Sequence, residues 1–369
     1  MALMRSRQLV FDQIIAVLTA WGMKDSDAGE TASIMVDADL AGIDSHGISM
    51  LPNYRGLVES GAIDLTARPE VVSDTESTAV VDGHHNLGHR VSAEAMRMAM
   101  TKSDHTGIGS VAVRRSRHFG AAGYYAAMAA ERGLIGLVTT TTRTRALVPS
   151  RGARPVLGTN PIAFAAPTAK AGEPFVLDMS TSTVAVNKVK VFNYRGEALP
   201  AGWMSDSTGQ SVTDSQVGYA ALLEETGAGL TPLGAADSTS GHKGYGLAVM
   251  VQILAGALAG ISFDRSHSEA AHEGVGHFFL AIDPGFFGDR ENFFGSVSEI
   301  VDSLRNETPA DSDHPVLVAG DPERTTRAQR SAEGIPLSEA LVDALEEVCS
   351  VHGAEFLLGE KASAANSER

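Results

Sequence analysis

Leu9, Val10, Ile14, Val17, Leu18 and Trp21 recur three and four positions apart and stop at Gly22, which predicts a helix over 9–21. Ile34, Met35, Ala38 and Ala41 continue that rhythm in a second helix over 27–43, and the pattern then breaks into loop and short helix over 52–69. Thr78-Ala79-Val80-Val81 reads as a strand turning at Asp82-Gly83, followed by an Ala- and Met-rich helix over 90–105 that Gly107 closes. Strand 109–113, helix 121–132 and strand 134–140 then alternate. Phe175-Val176-Leu177-Asp178 reads as a short buried strand running into Ser180-Thr181-Ser182 and a helix. An apolar helix over 244–258 ends at Gly260, and a strand covers 277–282. Asp321 reads as an N-cap with Pro322 at the first helical position, and Ser338 caps a last amphipathic helix with Gly353 just past its end. Helices dominate the ends and strands the middle. The pattern predicts an α/β chain: a helical domain formed by both termini (1–75 plus 290–369) around a central mixed-sheet domain (76–289).

Composition narrows the function. The 369 residues are 43% hydrophobic, ordinary for a globular chain of this length. The net charge of −16 repels phosphate backbones and anionic lipid, which argues against nucleic-acid and membrane-surface partners. Cys349 stands alone, so no disulfide forms within the chain, consistent with a reducing compartment. No signal peptide and no membrane-spanning apolar run is legible, and the cytoplasm is the expected location.

Several short runs carry candidate chemistry. Gly107-Ile108-Gly109-Ser110-Val111-Ala112 mimics a dinucleotide fingerprint, but here a helix precedes and a strand follows, the reverse of what the fingerprint needs. A Rossmann reading is rejected. Asp44-Ser45-His46-Gly47 falls where the second helix ends. The negative end of that helix is expected to favour imidazolium and raise the pKa of His46, while Ser45 orients the ring; the same four residue types also simply cap helices. His118, in Arg117-His118-Phe119-Gly120, lies in a strand-to-helix turn, a usual place for ligand contacts. Asp178-Met179-Ser180-Thr181-Ser182 offers backbone N–H groups and hydroxyls as a pyrophosphate seat, or plain capping, and Lys243-Gly244 offers a cation beside flexible backbone. Two histidine groupings, His84/His85/His89 and His267/His272/His277, lack the spacing and carboxylate framework of a metal site, so no metal is expected and a metal-dependent hydrolase or lyase is a distant alternative.

In order along the chain, ADLAGIDSHGISMLPNY from Ala38, SRHFGAAGYYA from Ser116, LGTNPIAFAAP from Leu157, LDMSTSTVAVNKV from Leu177, LPAGW from Leu199, GHKGYGLAVM from Gly241, HFFLAIDP from His277 and AGDPE from Ala319 resemble the malate/L-lactate dehydrogenase-like family, distinct from the Rossmann-fold lactate and malate dehydrogenases. The resemblance covers nearly the whole chain. It implies a non-Rossmann, mixed-sheet NAD(P)-binding domain, a homodimer with the active site between domains, and hydride transfer between NAD(P)H and a small 2-oxo or 2-hydroxy acid. It implies that His46 exchanges the proton with the C2 oxygen, assisted by Ser45, with His118 near the substrate. The stretch Asp178, Met179, Ser180, Thr181, Ser182, Thr183 and Val184 is expected along the dinucleotide, as are Lys243-Gly244 and Gly320-Asp321-Pro322. NAD is expected, with NADP possible.

Two departures bear on the substrate. Many members of the family have arginine where this chain has Met50, a natural clamp for a substrate carboxylate. Tyr54 is retained for hydrogen bonding, and Arg143 or Arg145 is the expected source of the missing charge. Lys188 stands where the family's cyclic-imine reductases carry an acidic partner for the serine–histidine pair, which favours oxo-acid chemistry and leaves a cyclic-imine reductase as the alternative.

Overall fold

The computed structural model describes residues 2–225, 227–263 and 274–359. It begins with a strand, β1 (Ala2–Arg5), and a helix, α1 (Arg7–Ala20), which Ser6 starts by accepting the Leu9 N–H on its hydroxyl at 3.2 Å. Then follow α2 (Asp25–Leu40), a 3₁₀ turn over Ile48–Met50, and α3 (Leu51–Glu59), with Pro52 in its first turn. Val10, Ile14, Val17, Met35, Leu51 and Tyr54 of these helices share one apolar cluster with Ile335, Leu337, Leu345 and Val348 from near the other end of the chain.

The middle of the chain builds a mixed sheet in the order β2-β3-β4-β10-β5-β6-β7. Its strands are β2 (Glu70–Asp74), β3 (Thr78–Asp82), β4 (Ile108–Ser116), β5 (Ile135–Thr140), β6 (Ile162–Ala166), β7 (Phe175–Met179) and β10 (Val275–Ile282). Only β3 and β4 pair in parallel, joined by the crossover helix α4 (Gly88–Thr106); the other neighbours are antiparallel. β10 arrives last in the chain yet sits at the centre, Phe278 opposite both Ala112 and Thr139. Side chains alternate across the sheet. Val111, Val113 and Phe279 face α4 and α5 (Ala122–Glu131), while Ala112 and Phe278 face Ala255 and Ala259 on the other side.

A small satellite holds α6 (Val186–Arg195), β8 (Met204–Asp206), α7 (Ser215–Glu224) and β9 (Ala228–Leu230) around Val189, Leu199, Met204 and Leu222. α8 (His242–Val251) runs into a π-helical stretch over Gln252–Ala257. α9 (Arg290–Arg305) lies against the sheet's loops, Ser298 Oγ accepting the Ala169 N–H at 2.9 Å and Asp302 pairing with Lys170. α10 (Asp321–Glu333), β11 (Ile335–Ser338) and α11 (Glu339–His352) close the chain, with β11 antiparallel to β1 and Ser338 capping α11 as expected. Among the described residues no helix is long and apolar enough to cross a membrane.

Three local readings change. No helix opens at Ser180: the N–H groups of Thr181 and Thr183 bond instead to the carbonyls of Thr159 and Thr231, and α6 starts only at Val186. β7 is an edge strand and half-exposed rather than buried. Gly320, not Asp321, occupies the cap position of α10, at φ +98°. The strands β1, β2, β6, β8, β9 and β11 and the helices α7 and α9 had no counterpart in the sequence reading. β2 is exposed at every position and so carries no apolar alternation.

The run around Gly107 and Gly109 has a packing explanation. Gly107 ends α4 in the left-handed region at φ +77°, and a Cβ on Gly109 would lie 2.0 Å from the Ala99 carbonyl oxygen. Gly109→Ala is therefore expected to destabilise the fold by about 2 kcal/mol or more through forced separation of α4 from β4, measured by urea unfolding.

Candidate active site

α2 ends at Leu40, and the chain turns through Asp44-Ser45-His46-Gly47 before the 3₁₀ turn. Asp39, near the end of that helix and 2% exposed, holds the turn from beneath: its Oδ2 accepts the Ile48 N–H at 2.8 Å. A Cβ on Gly47 would fall 1.8 Å from Asp39 Oδ1, so only glycine fits there. Burial raises the Asp39 carboxyl to about 8. From outside, Arg330 of α10 donates to the Asp39 carbonyl and pairs with Asp44. The turn is clamped on both sides.

Ser45 Oγ lies 2.7 Å from His46 Nδ1. His118 faces this pair from the end of β4, its ring centroid 5.3 Å from that of His46. Behind it, Tyr54 of α3 is buried and its hydroxyl lies 2.6 Å from His118 Nδ1. The Gly120 N–H also points at that nitrogen, at 3.4 Å. Two donors converge on Nδ1, so Nε2 carries the proton of the neutral His118 ring and is the nitrogen left to act as donor. Burial raises the Tyr54 hydroxyl well above its usual range and keeps its proton in place.

Two further histidines back this array. His89 is fully buried, its ring 6.3 Å from that of His118, and neither of its nitrogens has a hydrogen-bond partner. His277, on the central strand, meets Thr140 Oγ1 at 2.7 Å and stacks on Phe119 at 4.5 Å. Burial lowers His46 to about 4, His89 and His277 to about 3, and His118 well below 6.5. The expected upward shift of His46 does not occur: it lies six residues beyond α2, outside the reach of the helix end, and loss of water decides.

A cleft of about 550 Å³ is lined by Leu57 of α3, Thr141, Thr142, Arg143 and Gly158 among others. Neither His46 nor His118 is part of its lining, although Thr141 directly follows the Thr140 that holds His277.

The chain is similar to known proteins along most of its length. The sequence profile of malate/L-lactate dehydrogenase matches residues 6–346. The chain belongs to the malate/L-lactate dehydrogenase family. Malate dehydrogenase of Pyrococcus abyssi is 38% identical over 353 residues, 94% of each chain. The malate/(S)-sulfolactate dehydrogenase of Methanothermus fervidus is 36% identical over 91% of this chain and 94% of its own. Among solved structures, malate dehydrogenase from Entamoeba histolytica superposes with a TM-score of 0.90 at 29% identity, covering 96% of this chain and 99% of that one. A delta1-piperideine-2-carboxylate reductase from Pseudomonas syringae superposes at 0.80 with 30% identity, covering 94% and 99%. The protein is an oxidoreductase acting on the CH–OH group of hydroxy acids, a family that uses nicotinamide cofactors.

Within this family member, the motifs read from sequence fall into two groups. Ser45, His46, Tyr54 and His118 converge. Lys188 does not join them: it is exposed on α6, with Nζ 5.7 Å over the Trp203 ring. The hydroxyls of Thr181, Ser182 and Thr183 bond to Thr159, Val184 and Pro232 carbonyls and so hold their own loop. Asp178 Oδ2 accepts the Gly123 N–H at the start of α5 at 2.7 Å. The Asp321 carboxylate is held by Arg305 and Arg324, which keep it at about 2. Exposed Lys243 sits in the first turn of α8, where the helix end favours an anion, and Gly244 is packed so closely on Leu233 that a Cβ would lie 2.3 Å from its carbonyl oxygen. An exposed cation at a helix start suits an anionic group.

His84, His85 and His89 are not gathered into a metal site. His84 pairs with Glu70, His85 meets Arg117, and His89 is buried apart. His267 and His272 lie outside the described residues, among which no group of three or more metal-ligating side chains is found. Sequence reasoning missed Asp39, and it weighed His89 only as part of a metal grouping and not as a neighbour of His118. A charged residue on an apolar helix face was the available signal for the first.

The histidine shifts set an expectation for stability. Each ring binds a proton more readily unfolded, near 6.5, than folded, so unfolding takes up protons in between and stability falls as pH drops from about 6.5 toward 4. Asp39 acts oppositely, weakening the fold as pH rises through about 8. Melting temperatures across pH 4.5–8 are expected to decline on the acid side, more gently in His89→Leu, and a flat acid limb in the parent protein would contradict the assignment.

Proposed function

We propose that the protein transfers hydride between a nicotinamide dinucleotide and a small 2-oxo or 2-hydroxy acid, with His46 exchanging the proton at the C2 oxygen. The observation that carries this is the pairing of Ser45 with His46 Nδ1 beside a second neutral imidazole, His118, locked by Tyr54. With Nδ1 engaged, His46 meets substrate through Nε2. The bound dinucleotide supplies the hydride at its nicotinamide ring. In hydroxy-acid oxidation the neutral His46 takes the C2 hydroxyl proton. In reduction it must first acquire a proton, which an anionic substrate beside the ring favours by raising its pKa. His118, donating from Nε2, steadies the developing negative charge on the C2 oxygen.

For the cofactor we propose NAD, with the loop from Asp178 to Val184, Lys243-Gly244 and Gly320-Asp321-Pro322 along the dinucleotide; Lys243 is the member with an exposed cation to offer a phosphate. Arg143, exposed on the wall of the cleft, is proposed to bind the substrate carboxylate in place of the arginine that Met50 replaces. The two-body division, a helical body of both termini and a sheet body of 76–289, rests on the apolar cluster that joins residues 10–65 to residues 335–358. We further propose a homodimer in the cytoplasm; exposed Ile253 and Leu258 beside the sheet offer apolar surface for the second copy.

Oxidation of NADH and NADPH is to be followed with pyruvate, oxaloacetate, sulfopyruvate and a cyclic imine as parallel substrates. Turnover confined to oxo acids is expected; turnover of the imine alone replaces this reading with the reductase one suggested by the Pseudomonas neighbour. His46→Ala is expected to lower kcat by roughly 10²–10⁴ without weakening dinucleotide binding. A variant within threefold of the parent removes His46 from the chemistry. Arg143→Ala is expected to raise KM for the acid by more than about tenfold.

A further inference from the structure

Arg117 precedes His118 and is 2% exposed, yet its guanidinium is poorly satisfied. Nη2 donates to His85 Nδ1 at 3.1 Å; Nε and Nη1 have no hydrogen-bond partner. Its neighbours on β4 behave differently. Arg114 and Arg115 both pair with the buried carboxylate of Asp82, at 3.0 and 2.7 Å. Arg117 makes no ion pair among the described residues, and the charge that acts on it is a like one, Arg143 on the wall of the cleft. Burial and that neighbour push it down to about 10, so it remains charged at neutral pH.

A guanidinium sealed from water and short of acceptors, with the charge of Arg143 acting on it from the wall of the cleft, costs stability without an anion and is relieved by one. The nearest hydrogen-bonding partner, an imidazole nitrogen, carries no negative charge. The position is next to the Tyr54–His118 pair in the chain, in a protein whose expected clamp at position 50 is methionine.

We propose that Arg117, together with Arg143, forms the seat for an anionic group of the substrate, a carboxylate or sulfonate oxyanion. This rests on the dehydrogenase reading above. Arg117 supplies the buried donors and Arg143 the exposed mouth. The seat fills the role left open by Met50 and selects acids over neutral carbonyl compounds.

The test uses the full chain, Arg117→Met and Arg117→Lys. Melting temperature is measured without ligand and with malonate, an unreactive dianion, in the absence of any nucleotide. KM and kcat are measured with pyruvate, which has one carboxylate, and with oxaloacetate, which has two. Malonate is expected to raise the melting temperature of the parent and not of Arg117→Met, whose unliganded melting temperature should equal or exceed the parent's. KM for oxaloacetate should rise more than tenfold in Arg117→Met and less in Arg117→Lys, with kcat changed by a smaller factor. An equal rise for pyruvate assigns the seat to the carboxylate beside the carbonyl; a rise for oxaloacetate alone assigns it to the distal one. An Arg117→Met protein that keeps the malonate shift and the parent KM overturns the proposal. Should that variant fail to fold, Arg117→Lys with parent KM and parent malonate response overturns it instead. If the parent turns over no oxo acid with either nucleotide, the dehydrogenase reading fails, while the malonate measurement still decides whether the seat exists.

Discussion

The hydrogen bond between Tyr54 and His118 ties the molecule together. Tyr54 belongs to the apolar cluster built from both ends of the chain, and Phe119, beside His118, belongs to the cluster under the sheet. The bond therefore fixes where the two cores meet. It also fixes the tautomer of His118, because the Gly120 N–H is aimed at the same Nδ1 and the un-ionised phenol is then the donor to it. Ser45, His46 and His89 gather around this junction, where exclusion of water keeps the imidazoles neutral.

Clamping from behind makes that junction rigid. The turn bearing Ser45 and His46 has no regular structure of its own. Asp39 holds it through the Ile48 N–H, Gly47 allows the close approach, and Arg330 reaches across from α10. The C-terminal part of the chain thus positions the N-terminal active turn, which gives the shared terminal core a functional purpose beyond stability. β10, inserted between β4 and β5, does the same for the sheet side by bringing His277 and Phe119 into a stack.

Buried charge is distributed unevenly around the site. Asp82 absorbs two arginines and Asp321 two more. Among the described residues Arg117 receives no such partner, although the chain carries an excess of 16 negative charges. A surplus of acid elsewhere in the molecule does not reach a sealed guanidinium, because ion pairing inside a protein depends on contact geometry and not on net charge.

The alternation of three strands with two helices from residue 78 to 140 was legible in the chain because each element has an apolar face with its own period. So were the helix stops at Gly22, Gly107 and Gly353, where only a left-handed residue fits. Ser45, His46, His118 and Tyr54 were identifiable through ordered motifs, not through periodicity. Tertiary structure alone decided the central place of β10, the non-helical path after Ser180, and the neutral state of His46. Each of these depends on groups distant in sequence: a strand partner, a carbonyl that captures an N–H, or the mass of protein that displaces water from a ring. Local pattern records what a segment prefers; it does not record what closes over it.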